Sequence, residues 1–203
     1  MIKIYGHPAS TCTRKVLMTL AENEIPFDLG LVDFAKGEHK QQPHLSRQPF
    51  GRIPALDHDG FQLFESRAIA RYLDQTAGGK LTPTDAKIRA QVEKWISIET
   101  SELSAHAMKF VYEHVFKRPQ TPEVLETARK ALGVTLGVMD EQLAKTRYLA
   151  GDAFTLADVV YMPYFDYALT TPVKVEFEKH ANVMRWWNEI SARPAWGKVT
   201  GRA

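Results

Sequence analysis

The chain has 203 residues, 44% hydrophobic and 25% charged, with a formal charge of +2. That length supports one large domain or two small ones with cores of their own. The basic residues are dispersed, which argues against a nucleic-acid partner. No apolar run approaches the roughly 18–20 residues of a membrane span, so no membrane partner is expected.

Residues 2–5 alternate as a strand and lack the long apolar core of a signal peptide. Residues 11–24 read as a helix with Val16, Leu17, Leu20 and Ala21 on one side, and residues 27–32 as a second strand. A polar loop containing Gly37-Glu38-His39-Lys40 follows. Residues 54–57 and 62–64 then flank Asp59-Gly60, a strong short-hairpin signal, and residues 66–76 form a helix with Ile69, Ala70 and Leu73 inward. The order βαβ then ββα predicts a small mixed sheet covered by helices.

Ala77-Gly78-Gly79-Lys80-Leu81-Thr82-Pro83 ends that unit. Beyond it the period is 3.6 and strand signals are scarce. Ile88, Val92, Trp95 and Glu99 open a long helix expected to run, with a bend, to about Lys117. Leu125, Ala128, Leu132, Leu136, Met139 and Leu143 trace one stripe of another. Thr155-Leu156-Ala157-Asp158 has the capping-box pattern with Asp in place of Glu, and Phe154 is placed to staple onto Val159. A last helix carries Val183, Trp186, Trp187 and Ile190 before Pro194. The expected division is residues 1–80, a linker at 81–86, and an all-helical domain over 87–203.

The residues that carry chemistry lie at helix starts. Ser10 follows a strand and the loop Gly6-His7-Pro8-Ala9 and opens the first helix. As a plain N-cap it accepts a bond from its own helix. As a functional residue it donates to a ligand thiolate, and with the helix N-terminus it lowers the thiol pKa. A shift of about 2 units would be worth roughly 2.7 kcal/mol. No His-Asp pair is recognisable to make Ser10 a nucleophile. Cys12 is the rival nucleophile, but there is no Cys-x-x-Cys, and the strand-to-helix turn where a redox cysteine stands is held by Ser10. As the single cysteine it also excludes an intramolecular disulfide, which fits a reducing, cytoplasmic setting.

Glu65-Ser66 opens another helix after the Ile53-Pro54 turn. Its free N–H groups and the Ser66 hydroxyl suit a carboxylate, and Glu65 suits the ammonium beside it. Pro54 is either an edge-strand proline or a cis proline that turns the Ile53 backbone N–H and C=O outward to pair with an extended peptide. His39 and Lys40 are either solvated charges or the seat of a terminal carboxylate. A small zwitterion joined to a thiol and a far carboxylate is glutathione. The remaining histidines, His7, His44, His58, His106, His114 and His180, show no metal-ligand spacing, so no metal is expected.

The pattern resembles the glutathione S-transferase family, and within it the phi class of plants and its serine-type bacterial relatives. The resemblance is carried by Gly6-His7-Pro8-Ala9-Ser10-Thr11-Cys12-Thr13-Arg14, Gly37-Glu38-His39-Lys40, Pro49-Phe50-Gly51 and Phe64-Glu65-Ser66-Arg67-Ala68-Ile69. It continues in Leu149-Ala150-Gly151-Asp152-Ala153-Phe154-Thr155-Leu156-Ala157-Asp158 and Ala192-Arg193-Pro194-Ala195-Trp196. Each piece is short, and their joint order along the chain is specific. The resemblance implies an α/β thioredoxin-like N-terminal domain, an all-α C-terminal bundle, and a cytoplasmic homodimer that conjugates glutathione to small hydrophobic electrophiles in detoxification. Peroxidase side activity is compatible with that chemistry.

It further implies that Ser10 stabilises the thiolate with help from Thr11. Glu65 and Ser66 would hold the γ-glutamyl end, Ile53 before Pro54 the cysteinyl backbone, and His39 with Lys40 the glycyl carboxylate. Phe50 and Arg67 would serve the subunit contact. The family commonly has Gln where this chain has Arg52; Gln donates and accepts, whereas Arg only donates and carries a permanent charge. His7, Phe34, His106 and Phe110 are candidates to line a hydrophobic substrate site between the domains. The alternatives are a thiol oxidoreductase based on Cys12 and a non-catalytic binder of glutathione or apolar compounds.

Overall fold

The structure is a computed structural model and describes residues 1–202. Its contacts divide the chain into two compact units, Met1–Thr82 with the segment from Pro194 onward, and Pro83–Arg193.

The first unit is built on β1 (Ile2–Gly6), α1 (Thr11–Glu22), β2 (Asp28–Leu31), α2 (His44–Arg47), β3 (Ala55–His58), β4 (Phe61–Phe64) and α3 (Ser66–Thr76). A single 3₁₀ turn over Glu38–Lys40 precedes α2. The four strands form one mixed sheet in the order β2-β1-β3-β4, with β1 parallel to β2 and the other two pairs antiparallel. The helical crossover and the hairpin expected from the pattern are both present. Asp59 (φ 52°) and Gly60 (φ 89°) turn the hairpin with both central residues left-handed, the geometry that matches strand twist.

Alternation along β1 puts Ile2 and Ile4 inward, where they meet Leu56 of β3, Val16, Leu17 and Leu20 of α1, and Ile69 and Leu73 of α3. One further helix belongs here: α11 (Pro194–Thr200) packs on α1, with Val199 against this core. The residue pattern alone groups that segment with the helical domain, because its short apolar face, Trp196 and Val199, does not reveal which helix will cover it.

The second unit is all-helical. The long helix expected from residue 88 is three segments in line: α4 (Ala86–Ile98), a π-helical stretch over Glu99–Leu103, and α5 (Ser104–His114). Of the four residues that open it, Val92, Trp95 and Glu99 are buried and Ile88 is exposed. α6 (Pro122–Leu143) buries Ala128, Leu132, Leu136, Met139 and Leu143 of its predicted stripe, while Leu125 is half-buried. Then come α7 (Leu156–Val159), α8 (Met162–Ala168), α9 (Lys174–Phe177) and α10 (Ala181–Ser191).

The capping box at Thr155 forms as predicted, and its Asp158 does more than cap. Fully buried, Asp158 accepts from the backbone N–H groups of Thr155 (2.9 Å) and Leu149 (3.1 Å) and from the Trp186 indole (2.9 Å). It thereby ties α7 to the preceding loop and to α10. Burial pushes its carboxyl up to about 6, against the pull of these donors. Phe154 lies edge-on to Tyr148 and under the Arg193 guanidinium.

Candidate active site

Strand register gathers the polar motifs of the first unit. Tyr5 pairs with Ala55, and Ala55 pairs with Phe64, so the C-terminal ends of β1 and β4 and the N-terminal end of β3 lie in one row. β2 runs parallel to β1 and ends there too, with the Val32 N–H bonded to the Gly6 carbonyl at 3.0 Å. The chain segments that leave this end are 7–10, 33–40, 52–54 and 65–66, the four stretches singled out by their residue types.

Ser10 is the N-cap of α1. Its Oγ accepts from the Thr13 N–H at 3.2 Å, which uses a lone pair and leaves the hydroxyl hydrogen for a second partner. Cap and thiolate donor are therefore compatible roles for one oxygen. The first turn of α1 holds no acidic residue, so nothing negative offsets the positive end of the helix. Thr11 and Thr13 are buried, and Thr13 closes on Gly6, where a Cβ would stand 2.7 Å from its Oγ1. His7 Nδ1 accepts from the Ala9 N–H at 3.1 Å, so the ring shapes the loop ahead of Ser10. Cys12 is half-buried at the second position of the helix.

His39 and Lys40 sit on the 3₁₀ turn. Phe34 stacks on the His39 ring at 4.1 Å, and Lys40 Nζ donates to the Phe50 carbonyl at 3.0 Å. Burial, then the neighbouring charges of Lys40 and His44, hold the His39 pKa below the usual histidine range. Lys40 reaches Phe50 by passing over Gly51. That residue has φ 59°, and a Cβ there would lie 2.7 Å from both the His39 carbonyl oxygen and Lys40 Cδ. Only glycine suits both the turn and the crossing.

Arg52 is exposed, yet its backbone is held at both ends: its N–H donates to Gln48 Oε1 at 3.1 Å, and its carbonyl meets His44 Nε2 at 2.7 Å. The next peptide bond but one, Ile53-Pro54, is cis. Among the described residues, the Ile53 N–H and C=O have no hydrogen-bond partner.

Glu65 is the N-cap of α3 with φ 73° and ψ 107°, a region a non-glycine residue rarely adopts. Its side chain is exposed, no side chain caps α3, and Ser66 is buried as the first helical residue. Phe50 meets Phe64 edge-on at 6.1 Å, which ties the 49–53 turn to the chain entering Glu65.

The structure thus brings together Ser10, Thr11, His39, Lys40, Arg52, Ile53, Pro54, Glu65 and Ser66 at one end of the sheet, along with His7 and Phe34. The two helical-unit candidates are placed differently. His106 is half-buried on α5, whereas Phe110 is 1% exposed, packed in the bundle with Arg129 over its ring. Phe110 shares the inward face with Leu103, Ala107 and Val111, and that face leaves it no open surface. Gln48 and Gly51 carry structural roles that the sequence reading gave to neither; their signal was the one-turn spacing of His44 and Gln48 and the glycine beside a basic loop. Among the described residues no group of His, Cys, Asp or Glu is arranged to hold a metal, and no helix is long and apolar enough to cross a membrane.

A family model for the glutathione S-transferase N-terminal domain matches residues 1–75, and one for the C-terminal domain matches residues 103–194. Glutathione S-transferase F7 of Arabidopsis thaliana is 37% identical over 205 residues, spanning 98% of each chain. Glutathione transferase F7 from Populus trichocarpa superposes with a TM-score of 0.94 at 36% identity, over 100% of this chain and 99% of that one. Glutathione S-transferase I from maize, solved in complex with an atrazine glutathione conjugate, gives 0.91 at 29% identity, over 99% and 97%. With both domain models matched in order and full-length relatives at this identity, the chain belongs to the glutathione S-transferase family, alongside its phi-class members.

Proposed function

We propose that the protein is a glutathione transferase that joins the glutathione sulfur to small hydrophobic electrophiles. The observation that carries this reading is the convergence, at one sheet end, of a capping serine with a hydroxyl hydrogen left to donate, an unpaired Ile53 backbone and the start of α3, which no side chain caps. The maize relative bound to a glutathione conjugate supports the same substrate class.

In the proposed reaction glutathione loses its thiol proton to solvent. The Ser10 hydroxyl donates to the resulting thiolate, Thr11 supports the turn, and the start of α1 adds its partial positive charge. The sulfur attacks an electrophilic carbon. A C–S bond forms, and either a leaving group departs with its electron pair or an activated double bond takes the pair and then a proton. Ser66 and the α3 N–H groups take the γ-glutamyl carboxylate, and Glu65 takes the ammonium. Ile53 pairs with the cysteinyl main chain beside cis Pro54. His39, uncharged at neutral pH, offers a hydrogen bond to the glycyl carboxylate, so the opposing charge comes from Lys40 and Arg52. His7 and Phe34, at the same sheet end, are assigned to the apolar electrophile. Peroxide reduction by the same thiolate, action in the cytoplasm and a detoxifying purpose complete the reading.

A homodimer belongs to the proposal. Phe50 is 63% exposed and suits the groove of about 240 Å³ on the helical unit of a second copy, where Trp95, Ile98 and Val138 supply apolar walls and Lys94, Glu141 and Lys145 the rim. Arg67 joins that contact.

The reading is tested by titrating the thiolate absorbance of glutathione bound to the wild type, Ser10→Ala and Cys12→Ser proteins. Ionisation well below the free thiol pKa in wild type and Cys12→Ser, lost in Ser10→Ala, is the expected result. Loss in Cys12→Ser alone would favour the mixed-disulfide chemistry of an oxidoreductase, and binding without any shift would favour a simple binder.

A further inference from the structure

The short helix α2 does nothing in the chemistry described above, yet it buries two polar side chains one turn apart. His44 is 4% exposed and Gln48 1% exposed. Both are spent on the backbone of a single exposed residue, Arg52: Gln48 Oε1 takes its N–H at 3.1 Å and His44 Nε2 meets its carbonyl at 2.7 Å. A carbonyl oxygen only accepts, so His44 Nε2 carries the hydrogen. Nδ1 of the same ring is buried without a partner, so the Nε2–H bond is the ring's one polar attachment.

The Arg52 carbonyl belongs to the same peptide unit as the Ile53 N–H. That unit is trans, the cis bonds being Gln42-Pro43 and Ile53-Pro54. In a planar trans peptide the C=O and N–H point in opposite directions. A bond that fixes the carbonyl toward α2 therefore fixes the N–H away from it. Gln48 restrains the preceding peptide unit through the Arg52 N–H, so the segment entering the cis-proline turn cannot rotate about the Arg52 backbone without breaking a buried bond.

We propose that His44 is a positioning residue for the thiol peptide: by holding the Arg52 carbonyl it aims the Ile53 N–H, across one rigid peptide plane, at the main chain of bound glutathione. This rests on the transferase reading of the site. His44 touches no substrate and acts only through the backbone, with Gln48 as its partner in the clamp.

The test compares His44→Gln with His44→Asn in the full-length protein. A glutamine places its amide nitrogen near the position of Nε2 and can restore the bond, whereas asparagine stops short of it. We expect His44→Asn to raise KM for glutathione about tenfold, equivalent to ~1.4 kcal/mol. His44→Gln should stay within about threefold of wild type on the same scale. In both variants KM for the electrophile and kcat at saturating glutathione stay near wild type, because the thiolate machinery is untouched. Equal KM values for the two variants, a KM rise that follows the loss in melting temperature, or failure of both to fold would overturn the proposal and leave His44 a packing residue. Glutathione titrated calorimetrically into wild type separates the two levels. If wild type does not bind it, the transferase reading itself fails; if wild type binds and the variants do not differ, only the clamp fails.

Discussion

Replacing Asp158 by alanine should be among the most damaging single changes in the helical unit. The carboxylate is the acceptor for the Leu149 and Thr155 N–H groups and the Trp186 indole N–H, and all three residues are buried. Orphaning one buried donor costs about 1–3 kcal/mol. Three such donors place the loss at roughly 3–9 kcal/mol, with the low end expected at pH 7, where burial of the ionised group offsets part of it. The sign of the pH dependence follows from the pKa of about 6, raised from 3.8. A raised folded pKa means the folded state binds the proton more tightly, so the contribution is fully present below the unfolded value and is lost as pH rises through 6. Wild type should therefore gain about 1 kcal/mol relative to Asp158→Ala between pH 7 and pH 5. Urea unfolding at fixed protein concentration, run at both pH values, measures the loss and its change. Asp152→Ala is the control, since Asp152 is exposed and accepts only a 3.4 Å bond from Arg147. A loss below ~1 kcal/mol at pH 7 would refute the reasoning from orphaned donors. A loss that shrinks at pH 5 would refute the reasoning from burial.

Three further outcomes follow from the site. Gly51→Ala forces a left-handed alanine into the space of the His39 carbonyl and Lys40; the expected stability loss is about 1–3 kcal/mol, with a raised KM for glutathione, and an unchanged KM would mean Lys40 plays no part in binding. Arg52→Gln removes an exposed charge while its clamped backbone stays in place, so glutathione affinity measured by calorimetry should lose part of its salt dependence; an identical salt response in both proteins would remove Arg52 from the carboxylate site. Phe50→Ala should weaken self-association in sedimentation experiments, and a variant as tightly dimeric as wild type would exclude Phe50 as the knob.

Signals that span a few residues were legible in the amino-acid order, because the physics behind them is local. Asp59-Gly60 turns a hairpin since both positions tolerate positive φ, and Thr155 with Asp158 closes a capping box across one turn of helix. The stripe on α6 was equally plain, since burial repeats every three or four residues along it. Site residue types were also readable: serine, acid and base at helix starts suggest anions and zwitterions wherever they fold.

What the order of residues could not decide was every choice between partners distant along the chain. The cap of α10 comes from Asp140 of α6, whose carboxylate takes the Asn182 N–H at 2.8 Å and the Val183 N–H at 3.1 Å, 42 and 43 residues away. His44 looked like one more unassigned histidine until folding set it against Arg52, and Phe110 looked available for substrate until the bundle closed over it. Glu65 has an ordinary code for an exposed acid, yet the junction of β4 and α3 holds it at φ 73°. The same limit applied to α11, which joined the first unit because α1 offered its apolar face. Local propensity acts through the backbone of neighbouring residues. Burial and pairing act through whichever surfaces the sheet register and helix packing bring together, and those exist only once the chain has folded.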